Sequence, residues 1–139
     1  MSVEIDISYQ GDLHCQAVHG PSRSTLITDA PVDNGGRGDA FSPTDLVATA
    51  LGTCMLTVMG LVAKRAGLDI SGTRARVAKE MAAAPVRRIG QLKATITVPH
   101  ASRLSEADRA KLERAADACP VKQNLHPDVN VATEFVYED

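Results

Sequence analysis

The chain has 139 residues, no tryptophan, two tyrosines and two phenylalanines, a formal charge of -2 and a pI near 6.1. That length predicts a single domain over 1–139, with a core of Val, Ile, Leu, Met and Ala in place of aromatic rings. The weak negative charge and the absence of a long Lys/Arg run argue against nucleic acid. Residues 1–30 lack the basic start and continuous apolar middle of a secretory signal, so a cytoplasmic location is expected.

The opening VEIDISYQ alternates Val3, Ile5, Ile7 and Tyr9 with Glu4, Asp6 and Ser8, the period-two signature of a half-buried strand. Gly11 and Asp12 mark a turn. LHCQAV predicts a second strand with Leu13, Cys15 and Ala17 inward, GPSR at 20–23 a loop, and STLIT a third strand. The charged, glycine-rich segment 30–41 predicts a surface loop.

A long helix follows. Ser42 supplies the cap, Pro43 the first helical residue and Asp45 the carboxylate of a variant capping box, while Lys64, Arg65 and Gly67 suit the carboxyl end. The uncharged run 46–63 reaches the lower length limit for a bilayer span. Its threonines and glycines, and its amphipathic flanks, predict instead a central helix covered on most sides, with no membrane partner.

Residues 73–81 and 91–98 predict a hairpin around PVRRIG, with Leu92, Ala94, Ile96 and Val98 on the inner face. Ser105 to Asp108 repeats the capping pattern and opens a second helix with Leu112, Ala115, Ala116 and Cys119 on one side, and NVATEFVY is a final strand. This order of elements defines an α+β domain with a hairpin-rich antiparallel sheet at its start.

Three cysteines without CxxC spacing argue against a secreted disulfide framework and against a zinc site. His14, His19, His100 and His126 show no ligand spacing, so no metal and no cofactor is expected. Cys15 alternates with Leu13 and Ala17 and reads as a core thiol. Cys119 precedes Pro120: it is either a small apolar residue at a kink or the cap of a further helical turn, whose backbone N–H groups stabilise a thiolate.

Cys54 lies more than two turns inside the long helix, beyond reach of the amino-terminal dipole, and burial among Met and Leu favours the neutral thiol. Periodicity alone makes it a buried structural cysteine, and makes Met55 and Met59 core filler or the wall of an apolar pocket. A nucleophilic Cys54 needs a cation from elsewhere. Thr44 and Asp45 lie about 80° and about 180° around the helix from it at about 100° per residue, and a dozen or more ångströms along it. Support from the first turn would therefore come from a second subunit, which Gly52 and its small neighbours would let approach.

FSPTDLVATALGTC together with the distant ACPVKQNL resembles the OsmC/Ohr family of osmotically inducible and organic hydroperoxide resistance proteins, and the order of elements matches across essentially the whole chain. The resemblance implies an OsmC-like fold, with sheets wrapped around two central helices in an intertwined homodimer and the active site at the subunit interface. It also implies reduction of organic hydroperoxides through a Cys54 sulfenic acid that Cys119 condenses into a disulfide, with a dithiol such as a protein-bound lipoyl group as reductant. Family members carry a glutamate ten residues before the first cysteine, where this chain has Thr44, with Asp45 the nearest carboxylate. They also carry an arginine from the amino-terminal half, for which His14 and Arg37 are the candidates, Arg37 favoured by its permanent charge. Two other functions fit the same pattern: a non-catalytic module holding a small hydrophobic ligand, and a hotdog-type thioesterase with less need of paired cysteines.

Overall fold

The computed structural model describes residues 1–139 and divides into two compact units, Met1–Val47 and Ala48–Asp139. The first unit is a three-stranded antiparallel sheet, β1 (Ile5–Tyr9), β2 (His14–His19) and β3 (Thr25–Asp29), in that spatial order. The turn between β1 and β2 takes Gly11, Asp12 and Leu13 into the left-handed region, at φ of 88°, 51° and 59°. Leu13 is therefore a turn residue, 47% exposed, and not the first inward side chain of β2. β1 departs from expectation too: Ile5, Ile7 and Tyr9 share one face as predicted, yet all three are more than half exposed. The alternation is in place without a covering layer in the chain itself.

The segment 30–41 is a loop with one 3₁₀ turn at Val32–Asn34. Gly36 is required there, because a Cβ at that position would sit 1.8 Å from the Ala30 carbonyl oxygen. Helix α1 (Pro43–Arg65) begins in the first unit and runs into the second. Its amino end is the expected capping box: the Asp45 amide donates to Ser42 Oγ at 3.1 Å, and the Ser42 amide donates to Asp45 Oδ2 at 2.9 Å. At its carboxyl end Gly67 adopts φ 72°, and the amides of Leu68 and Gly67 donate to the carbonyls of Ala63 and Lys64, a Schellman closure.

The second unit holds β4 (Arg74–Ala82), β5 (Arg88–Val98), α2 (Glu106–Asp117), α3 (Pro120–Gln123) and β6 (Asn130–Tyr137). β4 and β5 form the expected hairpin. β6 instead lies parallel to β5, making β5 the central strand. The α2–α3 crossover supplies the return path that a parallel pairing needs and a tight turn cannot give. Leu92, Ala94, Ile96 and Val98 are all buried, joined by Leu51, Met55 and Met59 of α1 and Leu112 and Ala116 of α2. Each fully buried Leu, Ile, Val or Met adds about 1.5–3 kcal/mol over an exposed one, so this cluster is the main source of stability in the unit.

Gly52 faces the chain's own sheet: a Cβ there would lie 3.0 Å from Val77 Cγ2 and 3.8 Å from Ala75 Cβ of β4. Its smallness serves helix-on-sheet packing, which corrects the expectation of a close approach by a second subunit at that residue. Coverage of α1 is also less complete than its apolar sequence predicts. Only 33% of its most apolar 18-residue window is buried, and Thr49, Thr53, Thr57 and Leu61 form an exposed stripe at four-residue spacing.

Candidate functional site

The peptide chain brings Cys54 and Cys119 together although they belong to separate elements. Cys54 is part-exposed on the fourth turn of α1, and Cys119 is fully buried between α2 and α3. Both are free thiols, and they are close enough to share a side-chain hydrogen bond.

Local sequence explains where Cys119 sits. The capping box of Ser105 and Asp108 starts α2, whose apolar face buries Leu112, Ala115 and Ala116. Pro120 then forces Cys119 out of the helical region, to φ -62° and ψ 139°, and opens α3 as its first residue. The cap position expected for Cys119 is realised, with its sulfur accepting a hydrogen bond from the Lys122 amide at 3.4 Å, but the thiolate expected there is not, because burial outweighs that amide. Asp117 on the last turn of α2 pairs with the Lys122 ammonium and so ties the two helices across the cysteine.

Burial pushes the Cys119 thiol above its usual range, against the pull of the Lys122 amide, and the hydrogen bond with Cys54 pushes it the same way as burial. Cys119 is thus held as a neutral thiol at neutral pH.

The other predicted site residues lie in the first unit. Arg37 in the glycine-rich loop is 53% exposed, and its Nη2 lies 3.6 Å from Asp29 Oδ1. His14 Nδ1 donates to the same oxygen at 2.6 Å. Asp29 is buried at the end of β3, and its hydrogen bond with His14 holds its carboxyl below the usual range despite the opposing effect of burial. Both candidates for the amino-terminal cation therefore meet at one carboxylate, which sequence reasoning missed. An Asp closing a strand before Ala-Pro carries no local mark of burial. Thr44 lies with its Oγ1 3.2 Å from Ser42 Oγ, and Asp45 completes the helix cap. Cys15 pairs across the sheet with Tyr9 and Thr28 and is part-buried.

Met55 and Met59 are fully buried, in keeping with core filler. An open groove of about 450 Å³ lies at the carboxyl end of α1, lined by Leu56, Gly60, Leu68 and Ile70 with Lys64 and Thr73, and contains neither cysteine of the pair. A second cluster, also unforeseen, joins α2 to β6. Tyr137 Oη donates to Glu113 Oε2 at 2.8 Å while the Arg109 guanidinium stacks 4.5 Å from the Tyr137 ring centre.

Comparison with known proteins agrees with this fold. The chain belongs to the OsmC-like protein family, whose pattern matches residues 36–134. It is 44% identical to a Psychrobacter arcticus 273-4 protein named for an osmotic stress induced and detoxification response, over 94% of this chain and 93% of that one, at a TM-score of 0.88. The fold is shared with an organic hydroperoxide resistance protein OsmC from Legionella pneumophila, at 15% identity, coverage of 98% and 97%, and a TM-score of 0.77. It is shared too with an OsmC-like protein from Mycoplasma pneumoniae, at 14% identity, coverage of 100% and 99%, and a TM-score of 0.81. No curated protein matches the sequence.

Proposed function

We propose that the protein reduces organic hydroperoxides with its own thiols. The carrying observation is the contact between a part-exposed Cys54 and a buried, protonated Cys119. The Cys54 thiolate attacks the distal oxygen of the hydroperoxide and breaks the O–O bond. The alkoxide leaves and takes a proton as the alcohol, and Cys54 becomes a sulfenic acid. Cys119 then attacks the Cys54 sulfur, the hydroxyl departs as water with the Cys119 proton, and the Cys54–Cys119 disulfide forms. A dithiol, such as a lipoyl group on a protein, returns both sulfurs to the reduced state. This chemistry suits a reducing cytoplasm, where thiols persist. Family membership and the name of the Legionella protein support the substrate class.

The functional unit of this proposal is a homodimer. Its support is the apolar surface left uncovered in one chain: Ile5, Ile7, Tyr9, Phe41 and Leu61 are each about half exposed or more. Arg37, with Thr44 and Asp45 at the first turn of α1, is assigned the supporting role toward the Cys54 thiolate. Thr44 in place of the family glutamate, and the pairing of Arg37 with Asp29, make slow turnover the expected behaviour.

The test is stoichiometric. Reduced protein treated with one equivalent of an alkyl hydroperoxide should yield the Cys54–Cys119 disulfide by peptide mapping, and Cys54→Ser should lose peroxide consumption. Consumption that survives Cys54→Ser would defeat the proposal. The groove beside Leu56 and Ile70 favours a second reading, a module that holds a small apolar ligand without chemistry. Ligand retention by a Cys54→Ser/Cys119→Ser double variant would support it.

A further inference from the structure

The two sulfurs differ in access and in surroundings, and that difference bears on how the oxidised protein is reduced. Thiol–disulfide exchange needs the attacking thiolate to reach one sulfur from behind the S–S bond, so access selects the sulfur that is attacked. Cys119 is fully buried, whereas Cys54 is part-exposed on α1. The Cys119 sulfur accepts the Lys122 amide at 3.4 Å, and Lys122 is itself anchored to Asp117. Entry and exit are thereby assigned to different sulfurs.

We propose that the reductant attacks the Cys54 sulfur, so that the mixed disulfide forms at Cys54 and Cys119 departs as a thiolate received by the Lys122 amide. This rests on the dithiol hydroperoxidase reading. In the step, a thiolate of the reductant forms a new S–S bond to Cys54, the Cys54–Cys119 bond breaks, and its electron pair goes to Cys119, which then takes a proton to regain its buried neutral form. The second thiol of the reductant attacks its own sulfur in the mixed disulfide and releases Cys54 as the thiolate, the form that meets the next hydroperoxide. Cys119 never bonds to the reductant. A dithiol is the fitting reductant, because its second sulfur is already beside the mixed disulfide, where a monothiol must arrive from solution.

The experiment traps that intermediate. Wild-type protein is oxidised with one equivalent of alkyl hydroperoxide, or with diamide in a parallel sample, and the Cys54–Cys119 disulfide is verified by peptide mapping. Each sample is mixed with excess 2-mercaptoethanol, quenched with acid at short times, alkylated with N-ethylmaleimide and digested. Mercaptoethanol adducts should occur on Cys54 at least about tenfold more often than on Cys119, with Cys119 carrying the maleimide, as expected when accessibility controls the attack. An even split, or adducts mainly on Cys119, would overturn the inference. A disulfide formed by diamide but not by hydroperoxide would defeat the peroxidase reading while the adduct map still decides which sulfur is attacked. Failure of both oxidants to join the two sulfurs would overturn both.

Discussion

Asp29 shows how one side chain can organise a loop. Buried at the end of β3, it receives His14 Nδ1 from β2 and Arg37 from the glycine-rich segment, so two side chains that look independent along the chain share one anion. Because the folded state holds its carboxyl below the usual range, its contribution to stability is complete above about pH 4, the ordinary carboxylate value, and is lost as pH falls through the lower folded value. Asp29→Asn should therefore be less stable than the wild type from pH 5 to 7, with the gap closing toward pH 2, in urea titrations followed by circular dichroism. A gap independent of pH would mean that Asp29 acts by shape alone. Arg37→Ala read beside it separates two roles: a loop staple loses stability only, whereas support of the Cys54 thiolate also requires slower peroxide consumption in folded protein.

Helix α1 carries two glycines with opposite surroundings. At Gly52 a Cβ would lie 3.0 Å from Val77 Cγ2, while at Gly60 nothing stands within 4 Å. Alanine improves helix propensity by about 0.5–1 kcal/mol at either site. At Gly52 that gain is outweighed by overpacking against β4, which costs about 1–3 kcal/mol. Denaturant unfolding should thus show Gly52→Ala destabilised and Gly60→Ala stabilised by up to about 1 kcal/mol. A destabilised Gly60→Ala would show that another chain covers α1 at that turn. The caps of α1 and α2 needed no such test to be foreseen, since Ser-Pro-Thr-Asp and Ser-Glu-Ala-Asp satisfy their own amides within one turn.

The exposed apolar residues of β1 and the uncovered stripe of α1 are the largest departure of the isolated chain from a closed core. Ile7 is 70% exposed and Tyr9 66%, on a strand whose alternation promised a covered face. The homodimer proposed above would cover them and so predicts both the pattern and the exposure. Sedimentation should give twice the 14.7 kDa chain mass. Ile7→Glu should shift the protein toward the monomer and lower hydroperoxide consumption with it. A wild-type monomer with full activity would remove the dimer from the mechanism.

Helix ends, strand faces, the α+β order and the two cysteine motifs were all legible along the chain, because each depends on residues within one turn or one alternation of each other. The direction of β6, the burial of Asp29 and the partner of Gly52 were not, and the meeting of Cys54 with Cys119 was expected only through the resemblance of their two motifs to the OsmC/Ohr family. Those depend on which segments the crossover through α2 and α3 and the return of β2 and β3 bring side by side, and no local pattern encodes a neighbour that arrives from dozens of residues away. The chemistry proposed for this protein needs both: local motifs mark the two cysteines, but the thiols become unequal only when folding buries Cys119 and leaves Cys54 within reach.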